Sequence, residues 1–148
     1  MATSPFHSAF NKILIEFIQN LETTFPEEQD FKLFRSGLQE VVKHSMQTPA
    51  KLFNKFCQPI EIKNKNGEKD TLDIEKEILN NNQELFLQYD YLEYVKDIQT
   101  DTKIFDFISK IQTYWTKLTS SGKDTVMKYL KSLVTLNKKI EALKKPST

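Results

Sequence analysis

Residues 101–145 read DTKIFDFISKIQTYWTKLTSSGKDTVMKYLKSLVTLNKKIEALKK. Within them Ile104, Ile108, Ile111, Trp115 and Leu118 recur at steps of four and three. That interval places all five on one face of a helix. After Thr119-Ser120-Ser121-Gly122, a second run carries Val126, Leu130, Leu133, Val134, Ile140 and Leu143. Two amphipathic helices joined by so short a break predict a long antiparallel hairpin with facing apolar stripes. The fold class that follows is all-α.

The rest of the chain extends the pattern to a single helical domain of five to seven helices over residues 1–148, a length that suits one domain. Ser4-Pro5 is a helix start, with serine as cap and proline in the first turn. Phe6, Phe10, Ile13, Leu14, Phe17, Ile18 and Leu21 then keep helical spacing. Thr24 or the Pro26 turn opens a second helix, with Glu27, Glu28 and Asp30 in its first turn, where negative charge suits the helix dipole. Its stripe is Phe31, Phe34, Leu38, Val41 and Val42. Gly37 inside it costs about 1 kcal/mol relative to alanine; close approach of a neighbouring helix is one explanation, chance another. Thr48-Pro49 repeats the cap signal, and Leu52, Phe53, Phe56 and Cys57 face inward until Pro59.

Residues 60–74 admit two readings. Asn66-Gly67 is a hairpin turn signal. A two-residue turn there pairs Ile60 with Asp73 and Ile62 with Thr71. A loop of three or five residues pairs Ile60 with Ile74 and Ile62 with Leu72. The alternative is a solvated loop leading into a helix from about Thr71. Beyond it, Ile74, Ile78 and Leu79 make a short helix broken by Asn80-Asn81-Asn82, and Tyr91, Tyr94 or Val95, and Ile98 suggest another.

Chemistry is sparsely signalled. If Gly67 were position six of a calcium loop, Asn64, Asn66, Asp70 and Asp73 would fall on ligand positions. Ile62 at position one and three nearby lysines argue for a polar surface loop instead. His7 and His44 lack the neighbours that zinc needs. Cys57, between Phe56 and Pro59, reads as a buried inert thiol, and one cysteine makes no internal disulfide. No glycine-rich phosphate loop or nucleophile elbow is present. The sequence therefore points to no catalytic residue, no cofactor and no metal, and to a non-enzymatic protein. It has neither a signal peptide nor a run of 18 apolar residues, so a soluble intracellular protein without membrane association is expected.

Charge is more informative in its distribution than in its net value of +1. Residues 84–106 hold six acids and two lysines, whereas 107–148 hold nine lysines and two acids. Lys128, Lys131, Lys138 and Lys145 are spaced to share one face of the last helix. Such a stripe can meet phosphates or an acidic partner. A single arginine, Arg35, weighs against base recognition. Tyr89, Tyr91 and Tyr94 cluster in the acidic segment, where exposure would make them a protein interface and burial would make them core.

The punctuation Phe10-Asn11-Lys12-Ile13-Leu14, Thr24-Phe25-Pro26, Thr48-Pro49-Ala50-Lys51-Leu52-Phe53, Glu77-Ile78-Leu79-Asn80, Glu84-Leu85-Phe86-Leu87, Tyr114-Trp115-Thr116-Lys117-Leu118 and Lys128-Tyr129-Leu130 spans most of the chain. It resembles small helical proteins of unassigned function encoded by large double-stranded DNA viruses of algae and protists, with Lys63 to Asp70 as an insertion. The resemblance implies a helical fold and a viral setting, in the virion or the infected cell. It carries over no catalytic residue. The expectation is protein–protein interaction or self-association, as a structural or assembly component. The competing reading is a nucleic-acid-associated protein using the C-terminal lysines.

Overall fold

A computed structural model describes residues 5–64, 66–84, 89 and 103–144. Six α-helices and one two-stranded antiparallel sheet appear among them, an all-α fold with a minor β-hairpin. The helices are α1 (Pro5–Thr24), α2 (Gln29–His44), α3 (Thr48–Cys57), α4 (Ile74–Leu79), α5 (Lys103–Tyr114) and α6 (Ser120–Lys144). The strands are β1 (Ile60–Lys63) and β2 (Lys69–Leu72). Among the described residues, no helix is long and apolar enough to cross a membrane. Contacts group the chain into two compact units, Met1–Asn54 with Tyr129–Thr148, and Lys55–Lys128.

In the first unit, α1 supplies the centre of the core. Phe10, Leu14, Phe17, Ile18 and Leu21 are buried at the expected helical interval. Phe10 meets Phe53 of α3 edge to face, with ring centroids 5.4 Å apart. Phe17 stacks on Tyr129 of α6 at 5.1 Å. Each such side chain contributes on the order of 1.5–3 kcal/mol through removal of apolar surface from water. α1 ends in a turn in which the Glu28 N–H donates to the Phe25 carbonyl. The second helix therefore starts at Gln29, later than the proline implied. Glu28 is its cap, its carboxylate accepting from the Asp30 N–H at 3.4 Å. Two buried asparagines tie α1 to the turn after α2, and α6 to α3. Asn11 donates to the Met46 carbonyl and Asn137 to Asn54 Oδ1, both at 3.0 Å. Such bonds resist sliding, because any shift would strand a buried amide at a cost of about 1–3 kcal/mol.

The second unit buries Phe56, Cys57, Ile62, Leu72, Ile74, Ile78, Phe107, Ile108, Ile111, Trp115, Val126 and Met127. The β-hairpin forms, but neither in the register of a two-residue turn nor in the one that apolar pairing suggests. Ile60 pairs with Leu72 and Ile62 with Asp70. Asn64 decides this. Its Oδ1 accepts from the Asn66 and Glu68 N–H groups, and its carbonyl accepts from Gly67. Gly67 has φ +83°, a left-handed conformation that glycine takes without Cβ strain. Ile74 is thereby released from the sheet to become the first residue of α4. Asp73 caps that helix, its carboxylate accepting from the Lys76 N–H at 3.2 Å. The oxygens of Asn64 and Asp73 considered for calcium thus serve a turn and a cap.

Both helices of the expected C-terminal pair are present, though their junction differs. α5 stops at Tyr114, and Trp115–Lys117 forms a 3-10 turn. Leu118 is extended rather than helical. Thr119 caps α6, its hydroxyl accepting from the Gly122 N–H at 3.0 Å. Ser120, Ser121 and Gly122 therefore belong to the helix and not to the break.

Candidate functional site

α2 is strongly amphipathic in sequence, yet Phe31 is its one buried residue. It folds back against α1. Arg35 anchors that contact, its Nε and Nη2 donating to the two carboxylate oxygens of Glu22 at 2.5 and 3.1 Å. A forked pair of this kind fixes orientation as well as distance. The anchored side lies beneath Phe31, Arg35 and Val42. Rotation by about 100° per residue then leaves Leu33, Gly37, Glu40 and His44 on the outer side, with Asp30 and Val41 at its margin.

Leu33 is 66% exposed. A Cβ built on Gly37 would meet nothing within 4 Å. The close helix–helix approach suggested for this glycine is therefore not made by the described residues of this chain. Phe34, Leu38, Val41 and Val42 are only half-buried, so the apolar stripe is incompletely covered. At its end, Glu40 accepts from or pairs with His44 at 3.1 Å and lies 3.9 Å from Lys43. In sequence the stripe reads as core, and Leu33 falls off it. The spacing Leu33–Gly37–Val41 is the signal that marks the outer face.

Also in the first unit, α1 and α6 leave an open groove of about 360 Å³, lined by Ala9, Ile13, Lys131, Ser132, Thr135 and Leu136. Lys131 is thus half-buried beside apolar neighbours. Lys138 and Lys139 are exposed, with Lys139 placed 5.5 Å from the Phe6 ring centre. In the second unit Lys128 is exposed. Lys145, Tyr91 and Tyr94 lie outside the described residues. Tyr89 is half-buried. It bridges to Asn64, and its carbonyl accepts from Gln112 at 2.6 Å. Burial, then Asp70 and Glu77, raise its phenol above the ordinary range. Backbone pairing and partial burial give Tyr89 a place in the fold of its unit.

Cys57 is buried, as its apolar neighbours implied. Burial pushes its thiol well above the ordinary range, with Glu75 and Asp73 adding in the same direction. The folded protein therefore keeps the proton where the unfolded chain releases it, near the ordinary value of 9.0. Stability is unaffected below that pH and falls above it, with a slope approaching about 1.4 kcal/mol per pH unit. Urea melts between about pH 8 and 10 should show this slope, and Cys57→Ala should remove it. Equal slopes in both proteins would mean that the thiol titrates normally.

Among the described residues, no group of three or more His, Cys, Asp or Glu side chains is placed to hold a metal ion. No family model, curated protein or solved structure matches the chain.

Proposed function

We propose that this protein works by binding protein, as a non-enzymatic structural or assembly component. The observation that carries the reading is the outer face of α2. An amphipathic helix leaves most of its stripe half-covered, and Leu33, off that stripe on the outer side, is two-thirds exposed. A single apolar anchor commonly dominates the energetics of such a surface. The resemblance to small helical viral proteins suggests a particle or its assembly as the setting.

Leu33→Lys tests this directly, because the exposed site tolerates lysine without disturbing the core. Tagged wild-type chain should retain a protein partner through nuclease treatment, and Leu33→Lys should lose it. Equal retention by both would remove α2 from the interface.

A second reading has a narrower basis, the exposed lysines of α6. It predicts binding that disappears with nuclease, weakens steeply with salt and is abolished by replacing Lys128, Lys131, Lys138 and Lys145 with glutamine. The protein-binding reading is favoured because Arg35 is held by Glu22 and Lys131 is partly packed against apolar neighbours.

A further inference from the structure

We infer that the outer face of α2 pairs with the same face of a second copy, antiparallel, about a two-fold axis at Gly37. The inference rests on the protein-binding reading and names its partner. Three features of α2 select this occupant.

The first is charge. Glu27, Glu28 and Asp30 outnumber Lys32 at the start of α2, whereas at its end Glu40 is balanced by Lys43, with His44 beside them. An antiparallel copy keeps the two acidic starts apart and brings each level with the neutralised end of the other, twice over. A parallel copy opposes like with like. The helix dipoles favour the same choice.

The second is the position of Gly37. Midway along the helix, it presents bare backbone to open space. Axial separation between packed helices depends on the side chains at the crossing point. Glycine on the axis permits the closest approach, since each copy contributes no side chain there.

The third is self-complementarity. With Gly37 on the axis, residues whose numbers lie equally far on either side come opposite one another. Leu33 then meets Val41 of the second copy, and Asp30 comes level with His44. The exposed leucine is covered at both ends by the same operation, as an isologous contact requires. A single helix pair falls short of the roughly 1,200–2,000 Å² buried in stable complexes. The dimer is accordingly weak and concentration-dependent.

Cysteine cross-linking of the full chain reads the geometry. Gly37→Cys should form a disulfide-linked dimer under mild oxidation, whereas the wild type, whose Cys57 is buried, should not. Leu33→Cys alone should stay uncross-linked. Its two copies lie about 12 Å apart along the axis, eight residues of helical rise, beyond the roughly 7 Å limit for a disulfide. A mixture of Leu33→Cys and Val41→Cys chains should cross-link. Sedimentation equilibrium should show the wild-type dimer, with Leu33→Lys raising its dissociation constant about tenfold, equivalent to the loss of one modest apolar contact.

A Gly37→Cys chain that remains single, or a Leu33→Cys chain that links to itself, overturns the antiparallel pairing. If self-association is absent while a different protein is captured through nuclease and lost with Leu33→Lys, the second copy is the wrong partner and the protein-binding reading stands. If neither occurs, both fail.

Discussion

Phe10→Ala is expected to destabilise the protein by about 3–5 kcal/mol, the range for deleting a buried aromatic ring from a packed core. Phe10 is fully buried at the centre of α1 and meets Phe53 edge to face. The mutation removes the transfer energy of the ring and leaves a cavity that α3 can close only by moving. A closure of that kind is opposed by the Asn54–Asn137 bond, which fixes α3 against α6. Total stabilities of single domains run to only about 5–15 kcal/mol, so the variant should be near the edge of folding. Urea denaturation followed by circular dichroism should show a large fall in the midpoint with an unchanged slope. A loss below about 1 kcal/mol would mean that the ring is not packed as described.

Trp115→Ala should have a comparable effect in the other unit, again about 3–5 kcal/mol. Trp115 is the one tryptophan of the chain and is buried within the 3-10 turn between α5 and α6. Two interactions could account for its importance, and magnitude separates them. Burial of the indole is worth several kcal/mol. Lys123, 5.7 Å from the ring centre, offers a cation–π contact worth about 0.5–1 kcal/mol at an accessible site. Lys123→Gln should therefore change stability by no more than about a third of what Trp115→Ala does. Chemical denaturation of the two variants gives the ratio. Equal losses would mean that the lysine contact, and not burial of the indole, holds this turn in place.

The helices are legible wherever apolar spacing is reinforced by a local signal. Ser4-Pro5 marks α1, and Pro59 marks the end of α3. Asn80-Asn81-Asn82 marks the end of α4, where Asn81 takes φ 59°, a left-handed conformation asparagine tolerates better than most residues. The β-hairpin is legible as an alternative, but its register is not. Register depends on Asn64 serving as a turn acceptor and on Asp73 claiming Ile74 for a helix. Apolar pairing alone weighs neither side-chain bond. Leu118 keeps the helical interval yet leaves the helix, because Thr119 offers the next helix a cap. Periodicity records which side chains are apolar; it does not record where a competing hydroxyl interrupts the backbone.

The candidate surface is harder to read for a different reason. A half-covered stripe and a buried one have the same sequence pattern. Phe34, Leu38 and Val41 look like core until the neighbours of α2 are placed. Lysine spacing on α6, by contrast, is visible in the sequence, but partial burial of Lys131 beside Ile13 and Leu136 is not. Of the three tyrosines, only Tyr89 is described, and its carbonyl and ring environment tie it to the β-hairpin and α5.

The pairing of α1 and α3 with the final stretch of α6 has a consequence for the order of events during synthesis. Asn54 and Asn137 are 83 residues apart in sequence, and Phe17 waits for Tyr129. The helices before Lys55 therefore cannot complete this core until the stretch from Tyr129 to Asn137 has been made. The unit formed by Lys55–Lys128 is continuous and has no such delay. Closing a loop of this length is entropically slower than forming local contacts. Phe10 and Phe17 thus stay uncovered while the intervening unit is made, and chaperone contact during translation should concentrate on them rather than on that unit.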